Sequence, residues 1–170
     1  MDKIKIGSIW KFECRDKKTD QLKWMIEKHN VVTDEGLNAL LNIMFHGTTQ
    51  ITSWYILVYE TNTTPNGNTT YAVPVFTECV AYDESTRVAL NEAAASGKSI
   101  SNTANKARFT FNATKTIYGG ALVGGGTGAA TKGNTAGGGT LFCASLLDAP
   151  KAVTDDDYID ITVTIGCADS

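Results

Sequence analysis

Two histidines, three prolines and four cysteines are all that 170 residues contain of those types, and no apolar run approaches the roughly 20 residues a membrane-crossing helix needs. Each scarcity excludes something. With only His29 and His46, any Ser-His-Asp or Cys-His catalytic site must use one of those two. His29 falls at the end of a hairpin pattern and His46 just past a helix pattern, where the dipole favours a cation, so both read as structural or exposed. Cysteines 14, 79, 143 and 167 are too far apart for a CxxC zinc or redox motif. Each lies in or beside an apolar strand pattern and reads as a buried free thiol; two disulfides are the alternative for a secreted chain. No targeting pattern precedes the first strand, so the expectation is a soluble protein with no membrane segment.

Charge is low and unevenly placed. The net charge is −3. Residues 1–30 hold eight Lys and Arg against five Asp and Glu, which leaves +3 there and −6 on the remainder. Those basic residues are interleaved with acids, and Trp10 and Trp24 share the apolar parity of their strands. That argues for a protein partner surface rather than a nucleic-acid site.

What the chain has in abundance is period-two alternation. Ile4, Ile6, Trp10, Phe12 and Cys14 alternate with Lys3, Lys5, Lys11, Glu13 and Arg15; Leu22, Trp24 and Ile26 resume the parity after a polar turn. Residues 3–28 therefore read as a hairpin with one buried face. The same grammar recurs at 107–113, 117–123, 140–147 and 159–167, and the apolar run Trp54 to Tyr59 suits a central strand covered on both faces. Short strands broken by Pro74 and Asp83-Glu84 are expected over 73–90, and a loop over 91–105. One helix is expected at 34–45. Thr33 can cap it, Asp34 and Glu35 complement its dipole, Leu37, Leu40, Leu41 and Met44 recur at helical spacing, and Gly47 can close it. Ten of the 16 glycines fall between Gly119 and Gly139, and 124–139 reads as a glycine-rich hairpin tip without a core. The sum is a single all-β domain, 1–170, of about nine strands and one short helix: an antiparallel β-sandwich, jelly-roll-like.

Several motif fragments lead nowhere chemically. Gly97-Lys98-Ser99 resembles the end of a phosphate loop, but Glu92 stands where its first glycine belongs. The glycines at 124, 125, 126 and 128 are followed by no helix that could present its N-terminus to a pyrophosphate. Asp155, Asp156 and Asp157 lack the glycine and distal glutamate of a calcium loop. Three NxT sequons, at Asn62, Asn68 and Asn112, are ordinary in a threonine-rich chain. No cofactor, metal or nucleophile motif emerges, and a non-enzymatic protein is the expectation.

The succession Val31-Val32-Thr33, Glu35-Gly36-Leu37-Asn38, Leu41, Phe45, Trp54-Tyr55 and Leu57 resembles the opening of a family of tailed-bacteriophage virion proteins. Glu78, Tyr82 and Arg87 are similar to that family's middle signature. Ser101-Asn102, Ala107-Arg108-Phe109, Ile117 to Val123, Gly139-Thr140-Leu141, Asp157, Ile159 and Thr162-Val163-Thr164 resemble its C-terminal half. Phe76-Thr77 replaces a tryptophan common in the family, and Asp156-Asp157 its usual Gly-Asp.

The resemblance implies a cement or decoration protein of jelly-roll type. Such a protein is made in the host bacterial cytoplasm and carried on the capsid exterior of the virion, bound to the major capsid protein and to neighbouring copies as a homodimer or homotrimer. A tail, neck or fibre component that recognises the host surface, with aromatics around Tyr71 or Tyr118 touching a glycan, is the rival reading. On the charge split, Lys3, Lys5, Lys11 and Arg15 are the expected partner contacts of the hairpin; Gly125, Gly126 and Lys132 are those of a glycine-rich loop that orders on contact.

Overall fold

In the computed structural model, which describes residues 4–169, ten strands and one helix follow one another as β1 (Ile4–Asp16), β2 (Leu22–His29), β3 (Val31–Val32), α1 (Asp34–Phe45), β4 (Trp54–Tyr59), β5 (Val88–Ala89), β6 (Ser99–Ser101), β7 (Ala107–Thr110), β8 (Lys115–Gly124), β9 (Thr140–Val153) and β10 (Asp157–Asp169). One sheet runs β2-β1-β10-β6, with β7 also on β10; the other runs β3-β9-β8-β4-β5. Every pairing is antiparallel. The two sheets pack face to face as the all-β sandwich that the alternation predicts.

The parity of β1 sets the core. Trp10, Phe12 and Cys14 are fully buried, and across the strand pair Trp10 faces Val163, Phe12 faces Ile161 and Cys14 faces Ile159. Ile56, Val58, Phe109, Ile117, Leu122 and Phe142 close the space between the sheets. Burying each such side chain contributes about 1.5–3 kcal/mol, so this layer supplies most of the drive to fold.

A second, smaller core lies on the outer face of the β8–β4 sheet, where Leu57, Tyr59, Ala121, Val123 and Leu141 meet Tyr71 and Phe76 from the irregular segment 60–87. This accounts for the unbroken apolar run of β4: its alternate residues serve two different cores. Tyr59 stacks on Phe76 with centroids 4.5 Å apart and donates to the Ser145 carbonyl at 2.8 Å. Gly119 makes room for it, since a Cβ there would sit 2.1 Å from the Ser145 oxygen and 2.2 Å from the Tyr59 ring.

The helix has the predicted bounds. Thr33 accepts from the Gly36 N–H at 3.0 Å and donates to the Leu141 carbonyl, so one hydroxyl both caps α1 and ties it to β9. Its large apolar residues divide between two sides: Leu37, Leu40 and Ile43 are half-buried, and the others stand in solvent. Gly36 is the buried residue of α1, pressed so closely on β9 that a Cβ would meet the Phe142 oxygen at 2.5 Å. Leu41, Met44 and Phe45 are 53%, 64% and 82% exposed. The close approach through a glycine leaves the far side of the helix in solvent.

Elsewhere the structure differs in detail. Segment 73–90 forms only β5 and the isolated bridges Tyr59↔Glu78 and Tyr82↔Phe111 rather than several strands, because its side chains cover a sheet instead of extending one. Segment 91–105 contains β6.

Candidate functional site

The glycine-rich segment is not a loose tip. It is fastened to the body by a buried ion pair. Arg87 Nε donates to both Glu78 oxygens at 3.0 and 3.1 Å, and Nη2 donates to Oε2 at 2.6 Å. The two side chains are 2% and 6% exposed. The remaining N–H groups go to the loop and its surroundings: Nη2 to the Asn134 carbonyl at 2.7 Å, and Nη1 to the Ala129 carbonyl at 3.1 Å and the Tyr71 hydroxyl at 3.4 Å. Glu78 Oε2 also accepts from Gly133 N–H at 2.8 Å, and the Arg87 N–H donates to the Ala130 carbonyl at 2.8 Å. A guanidinium has five N–H donors, and all five are engaged. The cavity of about 250 Å³ beside this pair therefore meets no vacant donor with which Arg87 could bind an anion. Burial acts to lower the Arg87 pKa, and the Glu78 carboxylate outweighs it, so the guanidinium stays charged. The arrangement is a clamp.

Within the loop, Thr127 N–H bonds the Gly137 carbonyl at 2.9 Å and Ala136 N–H bonds Asn134 Oδ1 at 2.8 Å. Ala129 is 5% exposed. The irregular stretch 78–87 and the loop expected to order on contact with a neighbour satisfy each other's hydrogen bonds within the single chain.

A second joint links the helix to the same region. Glu35 Oε2 accepts from the Tyr71 N–H at 2.9 Å and the Leu141 N–H at 2.6 Å, while the Asp34 N–H donates to the Gly67 carbonyl at 2.8 Å. Gly139 lets the chain pass under Tyr71, whose ring would lie 2.7 Å from a Cβ.

The expected partner contacts are scattered over the molecule. Lys3 lies outside the described residues. Lys5 is exposed on β1. Lys11 pairs with Glu13 at 3.3 Å, and Glu13 also takes Lys106; the Lys106 hydrogen bond is the chief cause that lowers the Glu13 pKa. Arg15 donates to the Asp20 carbonyl at 2.8 Å. Lys23 bonds the buried Asp157 at 2.6 Å, and Lys28 pairs with Asp148. Most of the hairpin's positive charge is thus matched within the chain. Gly125 and Gly126 both take a left-handed backbone, φ +70° and +61°. At Gly126 a Cβ would clash with the Gly137 oxygen at 2.2 Å. Lys132 donates to the Tyr82 carbonyl at 2.6 Å and sits 3.7 Å from the centre of the Tyr82 ring. Its charge is turned toward its own fold.

Other expectations sort in the same way. Tyr71 is 3% exposed, so it offers no glycan platform. Asp157 is 1% exposed and holds the turn into β10, accepting from the Thr154 N–H at 2.7 Å. Among the described residues no group of three or more His, Cys, Asp or Glu is placed to hold a metal ion, and no helix is long and apolar enough to cross a membrane. All four cysteines are free: Cys14, Cys79 and Cys143 are buried, but Cys167, expected inside, is exposed near the end of β10. Burial pushes the Cys14 and Cys143 thiols up to about 12.

One surface feature had no signal in the strand alternation. At one end of the sandwich an apolar cleft of about 450 Å³ opens between the sheets, lined by Leu40, Ile51, Trp54, Leu122, Phe142 and Ile165 among others. Leu40 is the one residue of α1 in that lining; Leu41, Met44 and Phe45 of the same helix are exposed and not part of it. Comparison with protein-family models, with curated proteins and with solved structures returned no match.

Proposed function

We propose that this protein is a structural, non-enzymatic component of a tailed-bacteriophage virion that binds the outside of the capsid and stabilises the shell. The observation that carries the proposal is where the residues of the resemblance meet. Thr33, Glu35 and Gly36 from its opening, Glu78, Tyr82 and Arg87 from its middle and Gly139-Thr140-Leu141 from its last part lie far apart in the chain. They meet around two joints, the Glu35 joint on β9 and the Arg87 clamp on the glycine-rich loop. A likeness held at the joints of a fold is what a shared architecture produces.

The jelly-roll part of the proposal has support of the same kind. The pairs β1·β10, β3·β9 and β4·β8 are those of one long antiparallel ribbon folded on itself. The β8–β9 hairpin within a single sheet is a departure from the simple roll. A cement protein needs many weak contacts rather than one strong one, since each copy on a shell benefits from its neighbours. The proposed partners are the major capsid protein and further copies of this chain, in a closed dimer or trimer. The proposed location is the capsid exterior, after synthesis in the bacterial cytoplasm.

The direct test is reconstitution. Shells assembled from the major capsid protein of the same virus without this chain should bind the purified protein to saturation and then resist a higher temperature before releasing their contents. Shells that bind none would contradict the proposal.

A further inference from the structure

Glycine follows asparagine once in this chain, at Asn66-Gly67. Asn66 is exposed and Pro65 before it is buried, so the pair stands in water on a fixed root. Three hydrogen bonds hold it in a tight turn. The Asn66 N–H donates to Thr69 Oγ1 at 3.0 Å, Asn66 Oδ1 accepts from the Asn68 N–H at 2.9 Å, and the Asn66 carbonyl accepts from the Thr69 N–H at 3.1 Å. Thr69 is 2% exposed, which anchors the far end of the turn.

Two of these bonds act on groups that can react with each other. An asparagine amide loses ammonia when the nitrogen of the following peptide attacks its carbonyl carbon. The bond from Asn68 N–H to Oδ1 folds the Asn66 amide over Gly67, draws electrons from Cγ and supplies a donor for the oxygen that becomes negative on attack. The bond from Thr69 N–H to the Asn66 carbonyl draws electrons from the peptide that ends in the Gly67 nitrogen, so its proton is easier to lose. Gly67 has no Cβ to obstruct the approach. Asp34 faces it, with carboxylate oxygens 3.4 Å from where a Gly67 Cβ would be. That charge is a brake, since a neighbouring anion opposes loss of the proton.

We infer that Asn66 is a site of spontaneous deamidation in the folded protein, promoted by its own turn. The Gly67 nitrogen gives up its proton to water and forms a bond to Asn66 Cγ; the side-chain nitrogen of Asn66 takes up a proton and leaves as ammonia, closing a succinimide ring. Water then adds to either ring carbonyl and opens it, giving aspartate or an isoaspartate whose chain continues through Cγ. Overall one water enters and one ammonia leaves, and no oxidant or reductant is needed. Each product places a new negative charge near Asp34. The isoaspartate also lengthens the backbone beside Gly67, whose carbonyl receives the Asp34 N–H at 2.8 Å at the start of α1. The modification therefore acts on the joint between the helix and the segment 60–87. It is separate from the Arg87 clamp and does not rest on the capsid proposal.

The test follows the full chain, kept folded at neutral pH, by peptide mapping with mass spectrometry that separates aspartate from isoaspartate products. Conversion should be confined to Asn66. Gly67→Ala, whose Cβ would make only ordinary contacts with the Asp34 side chain, should keep the thermal melt and slow conversion by about tenfold or more. Thr69→Val removes the acceptor of the Asn66 N–H. It should slow conversion severalfold in the folded protein and leave the rate in urea unchanged, which separates the turn from the local sequence. Converted chains, isolated by ion exchange, should melt at a lower temperature than unconverted ones. An Asn66 that stays intact in the folded protein and converts only in urea would overturn the inference, as would a folded Thr69→Val chain that converts as fast as the wild type or faster. Equal melts of converted and unconverted chains would overturn the effect on the helix joint.

Discussion

Arg87 and Glu78 stand nine residues apart in an irregular stretch and form a buried bidentate pair, with the guanidinium Nη2 2.6 Å from Glu78 Oε2. Breaking one side leaves the other charge buried and unpaired, which costs about 3–5 kcal/mol. Arg87→Met and Glu78→Leu are each expected to lower the unfolding free energy measured in urea by that order, and the double variant to lose less than the sum of the two. Additive losses would show that the pair is not the unit. Arg87→Lys, with fewer donors in another geometry, is expected to speed amide exchange selectively in 126–136.

Gly36 tests the approach of α1 to β9. Alanine is the better helix former by about 1 kcal/mol, so a helix free of its neighbour would be stabilised by the change. Here the new Cβ would lie 2.5 Å from the Phe142 oxygen and 2.7 Å from the Phe142 Cα, both backbone atoms that cannot swing aside. Gly36→Ala is therefore expected to destabilise the protein by about 1–3 kcal/mol in chemical denaturation. A stabilised variant would mean that the helix sits further from the sheet.

The carboxylate of Glu13 predicts a pH dependence. Its pKa is lowered, chiefly by the Lys106 hydrogen bond, from an ordinary value of 4.5. A depressed folded-state value contributes stability above the unfolded value, and that contribution is lost as pH falls through the folded one. Wild-type stability should thus decline as pH drops below about 4.5, and Glu13→Gln should flatten that part of the curve while costing about 1–2 kcal/mol at pH 7. Parallel curves for the two proteins would remove Glu13 from the account.

Thiol chemistry separates the cysteines. With values near 12, Cys14 and Cys143 are almost wholly protonated at pH 8, and burial also raises Cys79. One thiol per native chain, that of exposed Cys167, should react rapidly with a disulfide reagent, and the other three only after unfolding. Cys167→Ser should abolish the rapid phase. A rapid phase of two or more thiols would show that the core opens readily.

Much of this fold is legible in the residues because its signals are local. The parity of Trp10, Phe12 and Cys14 against Lys11 and Glu13 marks a strand with one wet face, and Thr33 with Asp34, Glu35 and Gly47 marks both ends of a helix. What escaped was whatever depends on contacts between distant segments. Arg87 carries no periodic signal, and its partners are a carboxylate nine residues back and the main-chain oxygens of Ala129 and Asn134. Composition makes 124–139 look loose; the bonds that hold it come from elsewhere. The helical spacing of Leu37, Leu40, Leu41 and Met44 gives amphipathicity but not the direction it faces, and Gly36, which decides that direction, has no side chain to announce it. Lys11, Arg15 and Lys132 read as available charge because Glu13, Asp20 and the Tyr82 carbonyl become their neighbours only in the fold.

The capsid proposal is tested most directly by the number of copies of this chain in each purified particle, measured by quantitative mass spectrometry against the major capsid protein. A cement protein should be present in a number comparable with the shell subunit. A handful of copies would move it to the tail or neck, and its absence from the particle would contradict the proposal outright.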